Sequence, residues 1–493
     1  EDIRFVYDEV LLDPELTPIF PDKLRAGAKP GAEPMTLEVV DDFTFKISFG
    51  APNGTRFLAD YMGMGNLWAA YTPLLKPKHY LQQFHKNYVP KEELEAKCKA
   101  AGFGAGEWYR LFQEEGGNWG GMDCEPMASE GRMPVLRGWI IQPPTPDLIV
   151  LKRNPYYWKV DTKGQQLPYV ERMESVVVSD PESVPLKIVA GEVNYIRERL
   201  RHTDISMYKE HEQEYGYRVT LDMVYHNAPV ALYLNFNHPN EAWRQILWQK
   251  EFRYALNAAI DYQEIIQALF LGMGKTCPWI PDVSDKDMAN QLLDKLGLDK
   301  RDSDGWRIGP DGKRFEVPMD VATDPLFIKP AEIIRTHLEE VGLYTPLRMM
   351  EGSLWGQMRD ANELYACVEW CDVCNWPYLK DDYMPDPGYR LRWGMLWHKW
   401  MQTDGKDGEE PPDWIKDLYA LYEEMMAINP DTTRAAEAEK RFADWFMEYV
   451  PLFPLARDVV DPCIVPVNAG NIAHSGRSSA VWFSEEQIFF KHA

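Results

Sequence analysis

The chain has 493 residues, 45% hydrophobic and 26% charged, the profile of a folded globular protein large enough for two or three domains. Its 77 acidic against 53 basic residues give a net charge of −24, which argues against a nucleic-acid partner. No apolar run reaches the roughly 18 residues that a membrane-crossing helix requires.

In chain order, Glu1 to Tyr7 reads as a helix already under way, with neither a Met nor an N-capping residue ahead of it, so the sequence is expected to be a piece of something longer. Residues 36–48 alternate like two strands joined at Asp41-Asp42. Residues 90–115 predict two helices broken between Gly102 and Gly106, and the Gly-, Pro- and Met-rich stretch 116–150 predicts a long surface excursion. Strands follow in LIVLKRNPYYWKVD and RMESVVVSD, then a helix that Asp180-Pro181 introduces and Gly191 ends. From residue 229 the pattern is α/β: an apolar strand PVALYLNFN, one long helix over 252–270, a hairpin over 305–324 turning at Gly309–Gly312, and a helix over 328–341 that Gly342 stops before a strand.

The run CVEWCDVCNWPY, 367–378, places Cys367, Cys371 and Cys374 in a C-x3-C-x2-C pattern. Such spacing holds iron–sulfur clusters in radical S-adenosylmethionine enzymes, where thiolates converge from an exposed loop. Here the flanking LYACVEW is apolar and β-prone, which favours buried free thiols on a strand, with a Cys371–Cys374 disulfide as the alternative in an oxidising compartment. The other four cysteines, Cys98, Cys124, Cys277 and Cys463, are too widely spaced for a disulfide framework, and the ten histidines show no metal-ligand spacing. No cofactor and no metal are therefore expected.

Eighteen tryptophans, seven of them within 355–414, suit stacking on a neutral extended ligand, although Trp393, Trp397 and Trp400 also have the spacing of a buried helical stripe. The many carboxylates leave a carbohydrate-active hydrolase as an alternative, with Glu369 and Asp372 as its acid pair. No HExxH, Walker loop, GxSxG or dinucleotide fingerprint occurs, so catalysis lacks a motif.

Three features carry a family resemblance: Arg153–Trp158 (RNPYYW), Leu167–Tyr169 (LPY) and Lys187–Glu192 (KIVAGE). With YLNFNHP…EFRYALNAAIDYQEII (233–266) and AEIIRTHLEEVGL (331–343), they resemble the family 5 extracellular solute-binding proteins of ABC importers. The resemblance implies an α/β, two-lobed periplasmic-binding-protein fold (cluster C, type II), with mixed sheets flanked by helices and an extra subdomain in the first lobe. It implies lobe I over 1–230, lobe II over 231–450 and a return to lobe I over 451–493, with hinge strands near Leu232–Asn237 and Tyr449–Leu455. It also implies that the part of lobe I carrying the export signal precedes Glu1, which would leave an unpaired sheet edge.

The implied function is capture of an oligosaccharide or a short peptide for delivery to a membrane permease, by a monomer without enzymatic activity. The implied location is the periplasm, or the cell exterior on a lipid anchor. Oligopeptide-binding members end the corresponding strand in Trp-x-x-Asp, the acid anchoring a peptide's α-ammonium. Here the order is Trp370-Cys371-Asp372, and a one-residue shift on a strand turns the acid to the opposite face. That shift and the tryptophans favour sugar over peptide. The expected ligand contacts are Trp370 and Trp376 by stacking, Asp372 and Asn237 by hydrogen bonding, and Trp393.

Overall fold

The computed structural model describes residues 1–29, 31–53, 74–117, 131–197, 200–222, 229–371, 383–385, 391, 393–428, 432–472 and 485–491. They form two compact units, one of Glu1–Val184 with C-terminal residues from Val467 onward, the other of Pro185–Pro466. The lobe crossings expected at 230/231 and 450/451 thus fall inside the second unit. Among the described residues no helix is long and apolar enough to cross a membrane.

In the first unit, Asp2–Phe5 and the wider turn Val6–Leu11 form the opening helix, and its Phe5, Val6, Val10 and Leu11 enter a core with Leu81, Leu94, Leu111 and Phe112. Lys91–Ala100 and Trp108–Phe112 are the two helices expected on either side of the glycine stretch. Strands β1 (Thr36–Val39) and β2 (Phe45–Ser48) pair antiparallel as the alternation requires. The stretch read as a surface excursion in fact holds β3 (Trp139–Ile141), which pairs with β4 (Leu148–Arg153), and β4 pairs with β5 (Arg172–Val176). A short ribbon joins Ala469–Gly470 to Phe489–Phe490.

In the second unit, β6 (Tyr217–Asp222) leads towards β7 (Val230–Leu234). Every residue of β7 is buried, which is why its sequence is apolar throughout instead of alternating. Strands β8 (Met319–Ala322), β9 (Leu347–Met350), β10 (Ala366–Trp370) and β11 (Leu452–Pro454) complete a mixed five-stranded sheet in the order β11-β7-β10-β8-β9. Strand β12 (Asp461–Pro466) pairs antiparallel with β6, just as β11 pairs with β7. The chain therefore passes twice between the β6/β12 ribbon and the β7/β11 pair.

Two expectations change. The helix read over 252–270 is two, Lys250–Ala259 and Tyr262–Phe270, because Ile260 is extended and the Asp261 side chain caps the Glu264 amide. The Asp261-x-x-Glu264 pattern carried that signal. The turn at Gly309–Gly312 exists, with Ile308 bridging Arg314, but the chain then leaves to form β8 beside β9 and β10. Helix Pro325–Glu340 packs over these strands, capped by Asp324 and ended at Gly342, where a Cβ would sit 1.8 Å from the Arg301 guanidinium.

Three buried histidines are held neutral. His85 accepts at Nδ1 from the Asn87 amide, so Nε2–H donates to the Glu9 carbonyl at 3.0 Å; His202 bonds the Val460 carbonyl at 2.7 Å; His238 accepts from the Asn240 amide and stacks on Tyr365 at 3.6 Å. Burial lowers all three pKa values, that of His238 to about 4, with the Arg348 charge opposing a second cation there. A histidine whose folded pKa is depressed gives stability that is complete above its unfolded pKa of about 6.5 and is lost as pH falls through the folded value. Unfolding temperature is expected to drop between pH 6.5 and 4, and to drop less in His238→Asn. Parallel curves for the two proteins would show that His238 does not titrate in this way.

A candidate ligand site at the carboxyl edge of the sheet

Strands β8, β9, β10 and β11 point the same way, so their carboxyl ends, Ala322, Met350, Trp370 and Pro454, share one edge of the sheet, joined there by the amino end of the antiparallel β7 at Val230. In open α/β sheets that edge is where ligands sit, because the connecting loops and helix amino termini face it. Along β10 the residues before Trp370 are buried, whereas Trp370 itself is half-exposed. One edge of its ring meets Phe327 of helix Pro325–Glu340 at 5.5 Å, T-shaped. Its backbone is fixed on both sides: the Tyr233 hydroxyl donates to its carbonyl at 2.9 Å, and its amide donates to Glu369 Oε1. A part-exposed indole at a strand terminus offers a flat apolar face of the kind on which a ligand ring can stack.

Asn237 and Trp393 do not belong to this edge, contrary to expectation. The register pairs Trp370 with Val230 and Ala366 with Leu234, so the residues after β7 emerge at the opposite edge. Asn237 is 1% exposed and fully engaged: Oδ1 accepts from the Leu396 amide at 3.0 Å, Nδ2 donates to Glu409 at 3.2 Å, and its carbonyl accepts from Asn362. Trp393 is wholly buried, its carbonyl accepting from the Phe236 amide and its ring 5.7 Å from that of Phe236. Asn237→Ala is therefore expected to lower stability by about 1–3 kcal/mol, from the buried amide it leaves unpaired, while leaving ligand affinity unchanged. Calorimetry on folded variant and parent separates the two effects, and a weakened affinity would return Asn237 to the site. Asp372 and Trp376 lie outside the described residues.

The cysteines divide similarly. Cys367 is buried in β10, and burial pushes its thiol well up. Cys371 is buried, 3.3 Å from the Tyr383 hydroxyl, and Cys374, its partner in the alternative disulfide, lies outside the described residues. Among the described residues no cluster of histidine, cysteine and carboxylate side chains has the arrangement of a metal site. Sequence reasoning passed over Tyr233 and Phe327, the two side chains that fix Trp370. The hydroxyl of Tyr233, inside an otherwise apolar strand, was the available signal.

Elsewhere the tryptophan-rich segment builds a core. Trp397 lies 5.5 Å from Phe236 and 5.4 Å from Trp248, and Trp414 lies 5.6 Å from Trp445. The Arg253 guanidinium lies beside Trp414 and Phe236, 5.0 and 5.4 Å from their ring centres, which are 5.8 Å apart.

Comparisons with known proteins point to one family. Residues 141–373 match the model of "Bacterial extracellular solute-binding proteins, family 5 Middle". A periplasmic alpha-galactoside-binding protein of Rhizobium meliloti is 25% identical over 410 residues, which are 75% of this chain and 51% of that protein. The chain thus spans about half the length of that curated relative. Among solved structures, the periplasmic binding protein MelB of Agrobacterium fabrum in complex with stachyose aligns with a TM-score of 0.73 at 18% identity, over 99% of this chain and 72% of that one. The oligopeptide-binding protein AppA of Bacillus subtilis in complex with a nonapeptide aligns with a TM-score of 0.68 at 15% identity, over 100% and 83%. Residues 141–373 thus belong to family 5 of the bacterial extracellular solute-binding proteins, and the chain around them carries the fold of that family.

Proposed function

We propose that this protein is the substrate-binding component of an ABC importer and captures a neutral oligosaccharide at the carboxyl edge of its five-stranded sheet. The observation carrying this reading is Trp370, a half-exposed indole held rigidly at a strand end. Asp372 and Trp376, next along the chain, are assigned the hydrogen-bonding and second stacking roles. Similarity to an alpha-galactoside-binding protein and to a stachyose complex supports sugar; similarity to a nonapeptide complex keeps short peptides as the second reading.

Family 5 proteins bind and do not turn over their ligands, so the reading is of a carrier, not a hydrolase. The partner is a membrane permease, the protein acts as a monomer, and it works outside the cytoplasm, in the periplasm or on a lipid anchor. Strand pairs β6/β12 and β7/β11, crossed twice by the chain, are the proposed hinge, since paired crossings permit bending while resisting twist. Titration calorimetry with stachyose, raffinose and a mixed nonapeptide library tests the reading. Stoichiometric sugar binding without product supports it, peptide binding alone selects the second reading, and released monosaccharide overturns both.

A further inference from the structure

A second feature lies wholly within the first unit. An open groove of about 1090 Å³ runs between the segment from Trp158 to Tyr169 and the C-terminal residues Asn471 and Glu486–Phe489. That is just above the roughly 300–1,000 Å³ of typical small-ligand sites, room for more than one sugar ring. Its wall is cross-linked: the buried carboxylate of Glu486 accepts from the Tyr157 hydroxyl and, at 3.0 Å, from the Lys159 ammonium, and the Glu486 carbonyl accepts from the Tyr169 amide. The Tyr169 hydroxyl donates to Asp161 Oδ2 at 2.7 Å, while Asp161 Oδ1 accepts from the amides of Lys163 and Gln165. The groove is therefore preformed, and the charges of Lys159, Asp161 and Glu486 are met internally.

Trp158, on the rim, is 62% exposed and the only tryptophan in the exposed class among the described residues. The Lys159 ammonium lies 5.5 Å over one face of its ring. Around it the side chains of Thr162, Gln165 and Gln487 are exposed and offer both donors and acceptors. A lone exposed indole beside a cross-linked groove whose buried carboxylate is paired, and whose rim carries amides, a hydroxyl and the Lys163 ammonium, matches the chemistry of a sugar ring, with one apolar face and an equator of hydroxyls.

We propose that this groove is a second saccharide-binding site, in which Trp158 stacks on one ring of a neutral oligosaccharide and Gln165 and Gln487 bond its hydroxyls. It is built from first-unit residues alone and does not depend on Trp370. A site of this kind holds glycan near the protein without committing it to transport.

Fluorine NMR of 5-fluorotryptophan-labelled protein tests the proposal, with the Trp158 resonance assigned by its loss in Trp158→Phe. Stachyose and maltotetraose are titrated into native protein and into Trp370→Ala. A saturable shift of the Trp158 resonance in both proteins is expected, weakened about tenfold by Gln165→Ala together with Gln487→Ala. A Trp158 resonance that stays fixed with both sugars overturns the second site, whatever the other resonances do. A shift that vanishes in Trp370→Ala assigns it to the sheet-edge site and also overturns the proposal. Failure of the sheet-edge reading reads differently: calorimetric affinity for stachyose unchanged by Trp370→Ala.

Discussion

Replacing Arg253 by methionine is expected to lower stability by about 3–5 kcal/mol, the largest effect of any single side chain discussed, without touching the ligand site. Arg253 is 1% exposed, and two of its guanidinium nitrogens donate to backbone carbonyls. Nε donates to the Tyr449 carbonyl at 2.7 Å, and Nη1 donates to the carbonyls of Leu247 and Trp248 at 2.7 and 3.0 Å. These carbonyls close helices Glu241–Leu247 and Thr432–Tyr449, so one cation satisfies two helix C-termini. It also lies 5.0 and 5.4 Å from the ring centres of Trp414 and Phe236, a cation–ring contact that methionine copies in volume alone. Burial lowers its pKa to about 9, which leaves it a cation at neutral pH. The check is the shift in the denaturation midpoint of this unit. Arg253→Lys should recover less than half the loss, because one ammonium cannot reach carbonyls on two sides. An unchanged midpoint in Arg253→Met would mean that water replaces the guanidinium at no cost.

Truncating Trp370 to alanine is expected to weaken sugar binding by about 1–3 kcal/mol, roughly five- to 150-fold. Its ring is half-exposed at the sheet edge and touches the core through Phe327, so alanine removes the platform while β10 keeps its pairing with β7. Stability should fall less than it does in Arg253→Met. Trp370→Phe should restore most of the affinity, since a smaller ring still stacks. Calorimetry with stachyose reads the difference. Equal affinity in Trp370→Ala would remove this residue from the site and with it the main physical support for the sheet-edge reading.

Much of this was legible in the sequence where the signal is local. The Asp41-Asp42 turn, the helix break at Gly102–Gly106, the Asp180 cap and the Gly342 stop each follow from the conformational preference of one or two residues, and each stands in the structure. The motifs at Arg153–Trp158, Leu167–Tyr169 and Lys187–Glu192 pointed to the family. What failed depended on partners distant in the chain. Asn237 and Trp370 both looked like site residues, but β7 runs antiparallel to β10, which sends them to opposite edges, and no local pattern encodes strand direction.

The tryptophans misled for a related reason. Trp393, Trp397 and Trp414 gather around Phe236 and Arg253, residues about 140 to 180 positions earlier, to complete a core. Likewise Asp320, buried in β8, takes a bidentate ion pair at 2.6 and 2.8 Å from Arg348 on β9, and burial raises its pKa. Charge pairing across parallel strands is invisible until the sheet order is known. The exposed Trp158 shows the converse, since its motif marked the family while its exposure, the feature that suggests a binding role, appears only in three dimensions.

The central claim is that this protein holds a neutral oligosaccharide, and native mass spectrometry of the protein as purified, followed by gentle release of whatever is bound, addresses it most directly. A complex heavier than the chain by the mass of a few hexoses, dissociating intact and without hydrolysis, is the result predicted. A released peptide ladder in place of hexoses, or a bound iron–sulfur cluster, would contradict it.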